Sequence, residues 1–273
     1  MMTVRSRTPS ANMVSIRIGG VSVGILSDSP AFLEMLERRY AGFLTAADRP
    51  DFQLEVVLHE PAEQAGADED ACVTRMKESW VLRRGDFHAM WNPSTACGKV
   101  FQSNNPYAID SVLRIVHTLI LATRGGFLVH AASAIRNGYA FLLAGVSGAG
   151  KTTISRLTPA DAKLLTDEIS YIRRDAGQYW ACGTPFTGEL ARAGEDISAP
   201  VKTLFLLEQG AENCITPVAT ADAARLLLRN ILFFAADPEM VQLVFQSACE
   251  FAEKVPIRRL CFVPDQRVWE MIG

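Results

Sequence analysis

The stretch Tyr139-Ala-Phe-Leu-Leu-Ala144 runs without a break into Gly145-Val-Ser-Gly-Ala-Gly-Lys-Thr152, and then into an apolar helix start, Thr153-Ile-Ser-Arg-Leu157. The order is strand, Gly-rich loop, helix, and the loop satisfies G-x-x-x-x-G-K-[ST] without a mismatch. At a background Gly usage of about 7%, a chance match in a chain this long has odds on the order of one in a hundred. Glycines let such a loop curl so that successive N–H groups point inward, where phosphate oxygens accept from them. Gly145, Ser147, Gly148, Ala149, Gly150, Lys151, Thr152 and Thr153 are therefore the expected nucleotide-phosphate residues. In this motif the Lys151 ammonium reaches the β- and γ-phosphates, and the Thr152 hydroxyl ligates Mg²⁺.

Phosphoryl transfer also needs a carboxylate at a strand end, to hold the metal or orient the attacking oxygen. Residues 162–166 (AKLLT) read as a strand that ends in Asp167-Glu168. Two adjacent carboxylates suit a division of labour, one on Mg²⁺ and one accepting a proton. Thr152, Asp167 and Glu168 form the expected metal set. Gly183-Thr-Pro-Phe-Thr-Gly-Glu189, followed by Arg192, is a dense loop whose Gly and Pro stiffen the backbone while Thr, Glu and Arg offer hydrogen bonds. His130, in the apolar strand 127–135, reads on its own as a core residue, and its face depends on register. His117 lies on a mostly buried helix and reads as core, while His59 and His88 carry no signal. Arg173-Arg174 and Arg258-Arg259 read as surface charge.

Around this segment the pattern is mixed. Residues 14–26 predict a hairpin at Gly19-Gly20, and Asp28 or Ser29 caps a helix from Pro30 to about Ala41. Strands are expected at 52–58, 79–83 and 86–91, with 61–70 as an acidic exposed loop. After the Asn104-Asn105-Pro106 turn a helix apolar on most of its circumference runs to Thr123, so it is buried. Arg136-Asn137-Gly138 predicts a hairpin between 127–135 and 139–144, and a second hairpin is expected over 169–182. Strands at 201–207 and 257–263 enclose helices at about 220–235 and 238–253. The expectation is a small α+β domain over 1–104 and a mixed-sheet α/β domain over 105–273.

Composition narrows the class. The chain has 273 residues, 49% hydrophobic and 21% charged, with 27 Lys+Arg against 30 Asp+Glu. A net charge of -3 gives no basic footprint for nucleic acid. The six cysteines make no C-x-x-C pair, and such scattered thiols read as reduced residues of a cytoplasmic protein. The N-terminus lacks the apolar core of a signal peptide, and the apolar run at 112–121 is broken by Arg114 and His117. A membrane partner is not expected.

Taken in order, FLVHAASAI, the Asn-Gly hairpin, LLAGVSGAGKTT, LLTDEIS, GTPFTGE and the closing LCFVPDQRVWEMI resemble the HPr kinase/phosphorylase-related kinases over roughly residues 105–273. That resemblance implies a P-loop core shared with phosphoenolpyruvate carboxykinases, and ATP and Mg²⁺ as cofactors. It implies that Asp167 is the base for a substrate Ser and Glu168 the metal-side group, with the roles exchangeable; the family has Asp at both positions. It also implies that His130 lies near the transferred phosphate. The E-x-R-G-type signature tied to the phosphorylase reaction is replaced by GTPFTGELARAG, and the first hundred residues differ from the N-terminal domain of the HPr enzymes. Divergent relatives of this type include kinases that phosphorylate a Ser of a peptide natural-product precursor, which makes the first domain a candidate docking module.

The resulting expectation is an ATP- and Mg²⁺-dependent kinase of a Ser hydroxyl on a peptide or small protein. Asp167, His130, Lys151 and Arg192 are its expected catalytic residues. The alternatives are a kinase of a small-molecule hydroxyl, or a nucleotide-binding regulatory protein without transfer activity. Carboxykinase chemistry ranks below both, and a homo-oligomer stays open.

Overall fold

The computed structural model describes residues 12–47, 49–59, 70–190 and 194–273. The chain divides into two compact units, Met1–Val112 and Leu113–Gly273.

The first unit opens with the hairpin β1 (Met13–Ile18) and β2 (Val21–Leu26), then α1 (Pro30–Arg39) and β3 (Phe52–Leu58). Ser29 caps α1 by accepting from the Phe32 N–H, with Pro30 at the first helical position, where its missing donor costs nothing. Four antiparallel strands follow: β4 (Cys72–Met76), β5 (Ser79–Arg84), β6 (Phe87–Asn92) and β7 (Cys97–Gln102). They join a seven-stranded mixed sheet in the order β1-β2-β3-β7-β6-β5-β4. β4 and β7 lie outside the strands expected from sequence, because CVTRM and CGKVFQ lack a sustained alternation of apolar residues. The acidic loop expected over 61–70 lies, except for Asp70, outside the described residues. α2 (Pro106–Thr123) then carries the chain from one unit into the next. Asp110, near its start, is buried and takes hydrogen bonds from Arg39 and Tyr40.

The second unit is built on β8 (Phe127–Arg136) and β9 (Tyr139–Ala144). They pair through a two-residue turn in which Asn137 has a φ of 51°, the left-handed conformation that the Asn-Gly pair anticipates. α3 (Lys151–Arg156), β10 (Ala162–Thr166), β11 (Ile169–Asp175), β12 (Gln178–Cys182) and β13 (Ser198–Gln209) follow. β14 (Cys214–Pro217), α4 (Thr220–Leu228), β15 (Ile231–Leu232), α5 (Pro238–Lys254) and β16 (Ile257–Phe262) complete the unit. β9, β13 and β16 are parallel neighbours, so their carboxyl ends lie along one edge. The pairings also run β8–β9–β13–β12–β11 and back to β8, which closes a circuit around the core. The unit is thus a mixed α/β structure.

The apolar strands expected here form, but the helix expected over about 220–235 stops at Leu228. Asn230 caps its end, donating its side-chain amide to the Leu226 carbonyl at 2.9 Å. The next two residues pair with β8 instead, Ile231 opposite Val129 and Leu232 opposite Leu128. An open ladder edge offers those backbone groups partners that a further helical turn would have to displace. One side of the sheet packs Leu142, Leu204, Leu227 and Phe251, and a second cluster holds Phe141, Phe205, Phe262 and Trp269. The ring of Phe251 meets Phe127 and Tyr179 edge-on, with centroids 5.3 and 4.9 Å away. Each such contact adds about 0.5–1.5 kcal/mol beyond area burial. Among the described residues no helix is long and apolar enough to cross a membrane.

Candidate functional site

The Gly-rich segment leaves the carboxyl end of β9 and enters α3. Gly150, directly before the helix, has a φ of 104°, and a Cβ built there would lie 2.6 Å from the Phe262 ring. Only glycine meets both demands, a left-handed backbone and a near-contact with β16. The Lys151 side chain is largely buried and folds back over the loop, donating to the Gly145 carbonyl at 2.7 Å and the Val146 carbonyl at 3.2 Å. From the neighbouring strand end, Gln209 donates to the Gly148 carbonyl at 2.7 Å. The Trp269 indole donates to the Ile154 carbonyl at 3.2 Å, which ties the short helix to the C-terminal segment. Ala149 is buried against this floor and its Cβ closely approaches Gly145.

These elements wall a cavity of about 380 Å³. His130, Ser147, Gly148, Gly150, Lys151, Thr152 and Thr153 line one part, and Asp167, Glu168, Gly188, Glu189 and Gln209 line the rest. Twelve residues spread over eighty positions of chain therefore meet at the carboxyl ends of β9 and β13, where α/β sheets commonly bind ligands. His130 reaches it because Ile169 stands opposite it in the β8–β11 ladder, so the register presents it to the acidic turn rather than to the core. Its imidazole sits below the ordinary range, first because it is half-buried and then because the Lys151 ammonium is near. Burial likewise lowers Lys151, opposed by Glu168 and Glu189.

The acidic pair divides unevenly. Asp167 is 3% exposed, and both of its oxygens are engaged: Oδ1 accepts from the Gly188 N–H at 3.1 Å and Oδ2 from the Leu190 N–H at 2.9 Å. It therefore anchors the 183–190 loop. Glu168 makes no side-chain hydrogen bond to a described residue. Burial is the main cause that raises its carboxyl above the ordinary range, with Asp167 and Glu189 adding to it and Arg114 and Lys151 opposing. A carboxylate held high and open to a cavity is suited to take a proton, whereas one saturated by backbone donors is suited to hold a loop.

Arg114 and Gln209 are the site residues that sequence reasoning passed over, while Glu189, expected to offer hydrogen bonds from its loop, lines the cavity. The Arg114 guanidinium lies 5.0 Å from the Phe186 ring centroid, within the Gly183–Glu189 loop, and its charge acts on Glu168. An arginine on a helix otherwise buried nearly all round was the available signal. His117 packs edge-on against Tyr171 in the core, 5.5 Å between ring centroids. Arg173, Arg174 and Arg259 are engaged with surface carboxylates. Arg192 lies outside the described residues.

For a divalent cation the donors at hand are the Thr152 hydroxyl and the Glu168 carboxylate, with Asp167 beside them. Among the described residues no group of three or more His, Cys, Asp or Glu is placed to hold a metal by itself. That donor set fits Mg²⁺, which keeps several waters and takes one or two carboxylates together with substrate phosphates. It does not fit a metal caged by protein alone.

Residues 97–273 match the model of a family described as the SynChlorMet cassette protein ScmC. The chain belongs to the ScmC family. No curated protein matches it. The span that matches ScmC takes in β7, α2 and the whole of the second unit, so every residue lining the cavity lies within it.

Proposed function

We propose that this ScmC-family chain is an ATP- and Mg²⁺-dependent phosphotransferase acting on a hydroxyl, with a Ser of a peptide or small protein as the acceptor, on the pattern of the HPr-kinase-related enzymes. The observation that carries this reading is the convergence of Lys151, Thr152, Glu168 and His130 on one cavity at the end of the Gly-rich loop. The name of the family speaks of a cassette, which makes a peptide from the same cassette the first acceptor to try.

In this reading the backbone N–H groups of 147–152 bind the phosphates and Lys151 exchanges the Gly145 and Val146 carbonyls for phosphate oxygens. When bound, Mg²⁺ neutralises phosphate charge, held by Thr152 and an acidic side chain. Glu168 takes the proton of the acceptor hydroxyl, a role for which its raised affinity for protons suits it. This moves the base from Asp167, where the resemblance put it with the roles exchangeable, to Glu168, because Asp167 spends both oxygens on the backbone of the 183–190 loop. His130, held neutral near pH 7 by burial and by Lys151, donates a hydrogen bond to the transferring group without adding charge.

The test is γ-labelled ATP with Mg²⁺, the full chain and Ser-containing cassette peptides, with Lys151→Ala and Glu168→Gln alongside. Label on a Ser, absent with both variants while Glu168→Gln still binds ATP, is the expected result. Transfer at the wild-type rate by Glu168→Gln would return the base to Asp167. A wild-type chain that binds no ATP would remove the phosphotransferase reading.

A further inference from the structure

Two of the six cysteines face each other in the sheet behind the cavity. Cys214 on β14 and Cys261 on β16 stand directly opposite in an antiparallel ladder, and each thiol lies within electrostatic reach of the other. Both are free thiols and partly exposed, and β14 is the last strand of its sheet, so Cys214 is reached from the edge. Directly opposite residues of antiparallel strands have Cα atoms about 4.5–5.5 Å apart, inside the range of about 4.4–6.8 Å that a disulfide spans. Bond formation needs the sulfurs to close to about 2.05 Å.

The pair also touches what supports the Gly-rich loop. Cys261 Sγ lies so close to Gly210 that a Cβ built there would fall 1.9 Å from it. Gly210 donates to the Phe262 carbonyl at 3.3 Å, and its neighbour Gln209 holds the Gly148 carbonyl. Phe262, the residue after Cys261, is the ring that lies against Gly150. Drawing the Cys261 sulfur towards Cys214 therefore withdraws it from Gly210, which adjoins one support of the loop in sequence and is hydrogen-bonded to the other.

We infer that Cys214 and Cys261 form a reversible thiol–disulfide site, oxidised by a low-molecular-weight disulfide, whose closure weakens phosphate binding at the 145–152 loop. The Cys214 thiolate attacks one sulfur of the small disulfide, forming a mixed disulfide and releasing one small thiolate. The Cys261 thiolate then attacks Cys214 Sγ, forming the intramolecular bond and releasing the second. The two protons lost by the cysteines go to the two released thiols, and the two electrons reduce the small disulfide. Burial and the neighbouring Cys214 and acidic groups raise the Cys261 thiol, so the second step quickens as pH rises.

The effect on binding rests on the nucleotide reading above; the disulfide itself does not. The experiment equilibrates the full chain in glutathione buffers from reducing to oxidising, blocks the remaining thiols, maps the peptides by mass spectrometry and measures ATP affinity on each form. A Cys214–Cys261 crosslink that forms ahead of any bond among Cys72, Cys97, Cys182 and Cys249, and is reversed by dithiothreitol, is expected. ATP should bind about fivefold more weakly to the oxidised form, the equivalent of one neutral hydrogen bond. Cys214→Ser should bind ATP like the reduced chain whatever the oxidant. Glutathione adducts that never close to this crosslink would overturn the site. A crosslinked chain with unchanged ATP affinity would overturn the link to the loop. Absence of ATP binding by the reduced chain would refute the nucleotide reading and the link together, and the crosslink map would still decide the site.

Discussion

Asp167→Asn isolates what the buried carboxylate does. The wild-type oxygens accept one backbone N–H each, from Gly188 and Leu190, in a position 3% exposed. Asparagine keeps one acceptor and places an NH₂ against the other N–H, so one donor loses its partner and faces a second donor. A hydrogen bond to a charged group is worth about 1.5–3 kcal/mol, and a buried donor left unsatisfied costs about 1–3 kcal/mol. Because these overlap, the expected loss is about 3 kcal/mol, confined at first to the 183–190 loop. With about 1.4 kcal/mol per factor of ten, amide exchange at Gly188 or Leu190 should speed up about a hundredfold. Residue-resolved hydrogen exchange reads this directly, without assuming that two units unfold together. The strands β9 and β13 serve as the internal reference and should not change. Exchange at both amides within a factor of about three of wild type would refute the anchoring role and leave Asp167 available as a base.

Glu168→Gln should behave oppositely. A folded carboxyl raised above its unfolded value means stability falls as pH rises through that window, so Gln should leave the chain as stable or more stable at pH 8 and flatten its pH dependence, checked by urea titration at pH 5 and pH 8. In the proposed phosphotransferase Glu168 sets the acid limb of kcat/KM, so Arg114→Gln, which removes an opposing positive charge, should move that limb to higher pH; an unmoved limb would separate Arg114 from the carboxyl. His130 is lowered from its ordinary 6.5, so the folded chain loses stability as pH falls below 6.5 towards the folded value, and His130→Gln should remove that part of the acid sensitivity in melting curves. Gly150→Ala should cost about 2 kcal/mol, from a left-handed φ and from contact with Phe262. Adding Phe262→Leu should recover only the contact, as denaturant midpoints of the single and double variants would show.

Local chemistry was readable in the sequence. The Asn137-Gly138 turn, the cap of α1 at Asp28 or Ser29, which the structure places at Ser29, and the strand–loop–helix around Lys151 each depend on a few adjacent residues. What escaped depends on partners far along the chain. Gln209 meets Gly148 only because β13 lies parallel to β9, sixty residues away in sequence by a register no local pattern states. Arg114 reads as an interruption of an apolar helix until Phe186 and Glu168 are brought beside it. The short β15 has no periodicity to detect, and it forms because β8 offers an edge. The unequal fates of Asp167 and Glu168 follow from where the 183–190 loop folds back, which two adjacent acidic residues cannot reveal.

The contact between Phe262 and Gly150 bears on the order in which the protein is made. The ribosome releases Gly150 more than a hundred residues before the ring that lies against it, and β9 gains its parallel neighbour β13 only after residues 198–209 emerge. Such distant pairings form slowly and leave apolar strands uncovered meanwhile. A nascent chain that stops before β16 therefore carries the whole Gly-rich motif without the floor that shapes it. Under the function proposed above, ligand capture at that loop would then report that synthesis had passed Phe262, and nucleotide could not rescue a chain stalled earlier.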